Sequence, residues 1–341
     1  MLQINLRLVL GLACFLSCGA AGYCQQPDPD AAVHADERFL LMQLVDQLQP
    51  YRAKSDVKGK AILSGSTTMA DLGHQWRVNF QQFHPNVEFA GAADSSEAGL
   101  KSLSENPLVI AGVSRNVDKD DLAMLKAGKC LDPLPIVVGL EAMALVVNAS
   151  NTIEHITPQQ LQALFAAGAT GGANVATWGD IGVGGALGGQ AINRYEREPG
   201  NGTHAFVVKT LLGGGKVASA KGVAKSAGEI AAMVANDPAG TGLTSLTSSN
   251  KKVRMVPLFI NGEKVEATER AILSGKYPLM RPLVLVIDKD QIAKDGGLRE
   301  AVIEYVLSRD GQMDVMKAGF YPLNPSFIRQ QLAAVNGLQL R

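Results

Sequence analysis

Cysteine is scarce in this 341-residue chain and net charge is absent. Two of the four cysteines, Cys14 and Cys18, fall in an apolar leader, so no disulfide framework of a small secreted module is available. Cys24 and Cys130 remain, and they can pair only in an oxidising compartment and across a long stretch of chain. The five histidines show no H-x-x-x-H spacing and the cysteines no C-x-x-C, so neither a metal nor another cofactor is expected. Thirty-two basic residues balance 32 acidic ones, which removes any bulk attraction to nucleic acid or to an anionic membrane surface. Long apolar runs are also missing: Leu8 to Leu16 is too short to span a bilayer. There is no G-x-x-x-x-G-K-[ST] loop, no G-x-S-x-G elbow and no kinase signature. Gly182 to Gly188 superficially matches a dinucleotide fingerprint, but no strand pattern leads into it and no helix pattern follows.

Glycine is abundant, with 36 residues, and the 46% apolar content suits a soluble α/β protein with many tight turns. Arg7, the apolar run and the small residues Ser17 to Gly22 have the layout of a secretory signal peptide over residues 1–22, with cleavage after Ala20, Ala21 or Gly22. A lipid anchor on Cys18 or Cys24 fits less well, because the residues approaching each cysteine are not the small ones such processing uses. Residues 23–58 read as an extension. Its short helix, Asp36–Leu48, either packs on the main body or meets a partner.

From Lys60 strand and helix patterns alternate: Ala61–Leu63, then the helical Ala70–Phe83, Val87–Ala90, the helical Glu97–Ser104, and Leu108–Ala111. Leu72, Trp76, Phe80 and Phe83 mark one face of the first helix. Pro135 to Asn148 reads as a continuous strand passing from one sheet towards another. Helices are expected at Gln159–Phe165, Ala205–Leu212, Ala227–Asn236, Glu266–Leu273 and Leu298–Ser308, with a loop over Ala166–Gly189. A second apolar crossing is expected at Val253–Ile260. The chain then divides into a discontinuous first lobe (59–142 with 258–341) and a second lobe (143–257), with a ligand cleft between them.

Three polar clusters each precede a helix pattern. Gly65-Ser66-Thr67-Thr68 and Asp94-Ser95-Ser96 supply hydroxyls, and any one of them alone is an ordinary helix cap. The third, R-E-P-G-N-G-T from Arg197 to Thr203, adds a guanidinium fork and a bare-backbone turn, which suits an oxyanion.

These segments together resemble the phosphate-binding proteins of bacterial ATP-binding-cassette phosphate importers. The likeness runs from Lys60 to Leu323 through G-S-T-T-M (Gly65–Met69), Trp76, S-x-x-G-L (Ser96–Leu100), V-S-R (Val113–Arg115), A-L-V-V-N (Ala144–Asn148), I-T-P-Q-Q-L (Ile156–Leu161) and Trp178. It continues through R-E-P-G-N-G-T and S-G-K-Y-P-L-M-R-P-L (Ser274–Leu283) to G-F-Y-P-L (Gly319–Leu323). The resemblance implies a two-lobed α/β periplasmic-binding-protein-like fold and a monomeric, non-catalytic receptor. Such a receptor closes on inorganic phosphate outside the cytoplasm and docks on a membrane permease. It also implies ligand contacts from Ser66, Thr67, Thr68, Ser96, Arg197, Asn201, Gly202 and Thr203, with Ser95, Ser114, Arg115 and Glu141 as further candidates.

Two departures bear on the ligand. Asn201 stands where the family usually has serine, and Arg115 stands where some members carry an aspartate that accepts the proton of hydrogen phosphate. A pocket with no acceptor favours sulfate-like anions, since a buried protonated oxygen needs a partner. Asp94, Glu141 and Glu198 are the possible substitutes. Sulfate, molybdate or tungstate binding, a phosphatase using the same cradle, and a sensory or adhesive ectodomain are the competing readings.

Overall fold

The computed structural model describes residues 39–168, 175–246 and 251–335. Helix α1 (39–45) precedes strand β1 (Gly59–Ser66), which passes through a 3-10 turn (Thr67–Met69) into α2 (Ala70–Phe83). Then come β2 (Val87–Ala90), the two-residue β3 (Ala93–Asp94), α3 (Ser96–Glu105), β4 (Val109–Val113) and α4 (Lys119–Ala127). The apolar run becomes one strand, β5 (Pro133–Asn148). Beyond it lie α5 (Pro158–Phe165), the short α6 (Gly185–Gly188), β6 (Asn193–Arg197), α7 (Gly202–Ala205), β7 (Gly222–Ala224), α8 (Ala227–Ala235), β8 (Gly240–Ser245) and β9 (Val253–Met255). The hairpin β10 (Leu258–Ile260) and β11 (Glu263–Val265) and helix α9 (Glu269–Leu273) lead to β12 (Met280–Asp288), after which α10 (Leu298–Val306), α11 (Arg309–Lys317) and α12 (Pro325–Ala334) finish the fold.

Strand β5 joins two half-sheets. It pairs antiparallel with β12 as far as Ala142 and with β8 from Met143 onward. The strand order is β2-β1-β4-β12-β5-β8-β6-β7, with β1 parallel to β2 and β4 and β6 parallel to β7 and β8. Each half has its own core. Leu72, Trp76, Phe80, Ile136 and Leu285 belong to the first; Leu145, Phe165, Trp178 and Leu243 belong to the second. The result is a two-lobed α/β architecture.

The expected second crossing at Val253–Ile260 is instead two short strands separated by Val256 and Pro257. Pro257 has no N–H to continue a ladder, and its carbonyl accepts from Ile156. Leu258, Ile272, Tyr277 and Leu279 pack in the core of the second lobe, so the return is made by β12. The loop expected over Ala166–Gly189 holds a 3-10 turn (Trp178–Ile181) as well as α6. The helix expected from Ala205 begins at Gly202 and passes from α7 into a π-helical segment (Phe206–Leu211).

The segment that carries α1 lies against both lobes. Leu41 is buried in the second core, whereas Leu48 and Tyr51, just beyond the helix, belong to the first. Arg309 and Asp310 of α11 hold this segment: the Arg309 backbone N–H donates to the Gln49 carbonyl, its side chain pairs with Asp46, and Asp310 accepts from the Tyr51 N–H at 2.6 Å. Packing on the body is therefore the outcome for this helix. Cys130 is a free, fully buried thiol in the first lobe, where burial pushes its pKa up to about 12; Cys24 lies outside the described residues, as does the 1–22 leader.

Candidate functional site: a donor-lined cleft

The carboxyl ends of β1, β4 and β6 point at the cleft, the usual ligand position in open α/β sheets. Close packing there depends on missing side chains. Gly65 has φ +138°, and a Cβ on it would lie 2.1 Å from the Gly112 carbonyl oxygen; one on Gly99 would lie 2.7 Å from the Gly65 Cα. With glycine at these positions α3 settles onto the ends of β1 and β4, and three serines from separate segments meet. Ser66 and Ser114 share a hydrogen bond of 2.8 Å between their hydroxyls, and the Ser114 N–H donates to Ser96 Oγ at 3.2 Å.

Above this cluster a cavity of about 230 Å³ is lined by Thr67, Thr68, Glu141, Arg197, Thr203 and, unforeseen, Arg281. Asp71, Lys225 and Ser226 also border it and were likewise not anticipated. Both arginines are buried. Arg197 is fixed by carbonyls rather than by Glu198: its Nε donates to Ala224 at 3.2 Å and its Nη2 to Lys225 at 2.6 Å. Burial first, and then the neighbouring charge of Arg281, pulls the Arg197 pKa below the usual arginine value. Two guanidiniums brought together in this way raise the local potential in the sense that favours an anion.

Arg281 sits on β12 directly opposite Glu141 on β5, and its Nε donates to Glu141 Oε2 at 2.6 Å. Its Nη2 donates to Thr68 Oγ1 at 3.2 Å, while Nη1 is buried with no hydrogen-bond partner among the described residues. The sequence signal for it was a lone arginine inside the otherwise apolar P-L-M-R-P-L-V-L-V-I.

The other anticipated residues divide. Ser66, Ser96 and Ser114 form the hydroxyl layer behind the cavity and do not line it. Ser95 caps α3, accepting from the Ala98 N–H. Asn201 spends its amide within the protein: Oδ1 caps α7 by accepting from the Thr203 N–H at 2.8 Å, and Nδ2 donates to Thr67 Oγ1 at 3.2 Å. Gly202 packs on the serine layer, for a Cβ there would fall 2.0 Å from Ser114 Oγ. Arg115 is turned out of the cavity into ion pairs with Asp121 and Glu97, so the positive charge expected in the acceptor position is not there. Asp94 and Glu198 are exposed, and Glu141 is the carboxylate at the cavity wall. Trp178 is core, donating to the Ala239 carbonyl.

Two lobes on a shared strand, with a polar cleft between them, define a two-lobed binding-protein architecture. The chain belongs to the PBP superfamily, whose domain model matches residues 52–310. It is 27% identical over 280 residues to the phosphate-binding protein PstS of Pseudomonas aeruginosa, covering 81% of this chain and 87% of that one. It is 23% identical over 283 residues to PstS of Staphylococcus aureus, covering 82% and 83%. Among solved structures, an ABC-type phosphate transport receptor from Vibrio cholerae shares the fold with a TM-score of 0.64 at 22% identity, over 78% of this chain and all of that one. A putative phosphate ABC transporter substrate-binding protein from Clostridium perfringens, with bound phosphate, superposes with a TM-score of 0.62 at 20% identity, over 78% of this chain and 100% of that one.

Proposed function

We propose that this chain is an extracytoplasmic solute-binding protein that captures inorganic phosphate, as a monomer, for the permease of an ABC importer. The observation that carries the reading is the convergence of two buried guanidiniums, Arg197 from the second lobe and Arg281 from the returning strand, on one cavity with the hydroxyls of Thr67, Thr68 and Thr203. Charge-assisted hydrogen bonds contribute about 1.5–3 kcal/mol each, so a handful reaches the roughly 8 kcal/mol of a micromolar complex. The names of the P. aeruginosa and S. aureus relatives support phosphate as the ligand, and the apolar leader supports export.

Glu141 favours phosphate over sulfate. One of its oxygens is held by Arg281 and the side chain borders the cavity, so an anion closing on this wall meets an acceptor among donors. An anion oxygen that carries a proton can satisfy it, and a fully deprotonated one is repelled. Phosphate keeps a proton near neutral pH; sulfate does not. Isothermal titration with phosphate, arsenate, sulfate, molybdate and tungstate tests the reading, together with a turnover assay on p-nitrophenyl phosphate. Phosphate and arsenate are expected to bind, with no turnover. Tighter sulfate binding overturns the choice of ligand, turnover overturns the receptor role, and failure of every oxyanion to bind leaves the sensory or adhesive reading in its place.

A further inference from the structure

Strand β6 carries Glu196 next to Arg197, and successive side chains on a strand point to opposite faces. Arg197 borders the cavity; Glu196 is buried at 8% exposure, and its Oε1 has no hydrogen-bond partner among the described residues. Its Oε2 lies 3.9 Å from Nδ1 of His204, an atom that likewise has no hydrogen-bond partner among the described residues. His204 follows Thr203 in α7, so this carboxyl and this imidazole are the chain neighbours of Arg197 and Thr203, both of which line the cavity.

The surroundings do little to keep Glu196 ionised. Arg194, two positions back on the same strand, supplies the nearest positive charge, but its guanidinium is committed to the carbonyls of Leu164 and Val175. The flanking strands β7 (Gly-Val-Ala) and β8 (Gly-Thr-Gly-Leu-Thr-Ser) carry no charge, nor does α5, whose Leu164 carbonyl Arg194 reaches. From α7 the facing group is His204 itself, and from α3 across the cleft Glu97 acts on His204. Desolvation accordingly pushes Glu196 up to about 7 and draws His204 below its ordinary value.

We propose that the Glu196–His204 couple takes up a proton when the anion binds, making oxyanion capture by this protein proton-linked. A negative charge arriving on the other side of β6 disfavours the Glu196 carboxylate and favours the protonated couple. A proton from solvent then adds to Glu196 Oε1 or is shared with His204 Nδ1, and leaves when the anion leaves. Linkage is reciprocal, so the same coupling loosens the anion as pH rises through the titration of the couple. The inference rests on the anion-binding reading of the cleft.

The test is calorimetric titration of the full-length protein with inorganic phosphate at pH 8, in buffers of different ionisation enthalpy, where the slope of heat against buffer enthalpy counts protons exchanged. At this pH phosphate is itself a mixture of mono- and dianion, so Glu196→Gln reports the exchange due to the ligand alone; the wild type is expected to take up about half a proton more per phosphate than this variant, with affinity less dependent on pH in the variant. His204→Gln is the second variant and is expected to lower the uptake as well, which guards against a Glu196→Gln protein that fails to fold. Proton exchange by both variants equal to that of the wild type overturns the linkage and leaves the phosphate reading standing. A wild type that gives no binding heat overturns both.

Discussion

Replacing Arg281 separates its contribution to the fold from its contribution to the ligand. Arg281 is 2% exposed, bonded to Glu141 and Thr68, with Nη1 unpaired among the described residues. In Arg281→Met the anion loses one or two charge-assisted hydrogen bonds and faces a Glu141 no longer neutralised. At about 1.5–3 kcal/mol per bond, the expected loss is about 3 kcal/mol, roughly 150-fold in Kd. The same substitution strands a buried carboxylate, which costs about 3–5 kcal/mol of stability. A loss of binding on its own is therefore ambiguous. The double variant Glu141→Gln/Arg281→Met resolves it, because removing both members of a buried pair is nearly neutral for stability. Urea denaturation should show the double variant back near wild type, while calorimetry still shows phosphate affinity reduced by about two decades. If the folded double variant binds phosphate within about threefold of wild type, Arg281 serves only to hold Glu141 and the two-arginine cradle is wrong.

Gly202→Ala places a Cβ 2.0 Å from Ser114 Oγ, which Ser66 holds in place, and 3.0 Å from Arg281 Nη1. Overpacking of about 1–3 kcal/mol should appear as a roughly 5- to 150-fold weaker Kd and a reduced phosphate-induced rise in Tm; an unchanged thermal shift refutes the contact between the two lobes. Glu141→Gln should shift the phosphate-to-sulfate preference towards sulfate by about tenfold or more in competition titration, and an unchanged ratio refutes its acceptor role. The folded Glu196 carboxyl keeps a proton that the unfolded chain gives up, since its pKa rises from 4.5 to about 7. Its stabilising contribution is complete below pH 4.5 and is lost as pH rises through about 7. Glu196→Gln should therefore be more stable than wild type by about 3 kcal/mol at pH 8 and indistinguishable from it near pH 4. Urea midpoints that move equally at both values refute the burial argument.

Local pattern was enough where a segment's partners did not matter. Ala70–Phe83 and Val87–Ala90 were bounded correctly from periodicity, and the run from Pro135 to Asn148 read as one crossing strand because burial on both faces leaves a long, mostly apolar signature on either side of Gly139 and Glu141. The second crossing failed because apolarity was continuous across Pro257 although hydrogen bonding was not. The clusters around Ser66, Ser96 and Arg197 do converge, but which atoms face the cavity depends on contacts distant in sequence. Asn201 reads as an amide donor for a ligand until its Oδ1 is seen capping α7 and its Nδ2 bound to Thr67. Arg115 reads as a cleft cation until Asp121, one turn into the next helix, claims it. Arg281 gains its meaning from Glu141, 140 positions away in the chain, a pairing set by sheet register alone.

The segment ahead of β1 works as a splint. With Leu41 seated in one core, Leu48 and Tyr51 in the other, and Asp46 and Tyr51 tied to α11, it bridges the joint made by β5 and β12. Any swing of the lobes about that joint must carry α1 with it or lift Leu41 from its seat. On the proposed binding-protein reading, this segment would limit how far the lobes open, and substitutions in it would act on the lifetime of a closed form while leaving the residues of the cleft untouched.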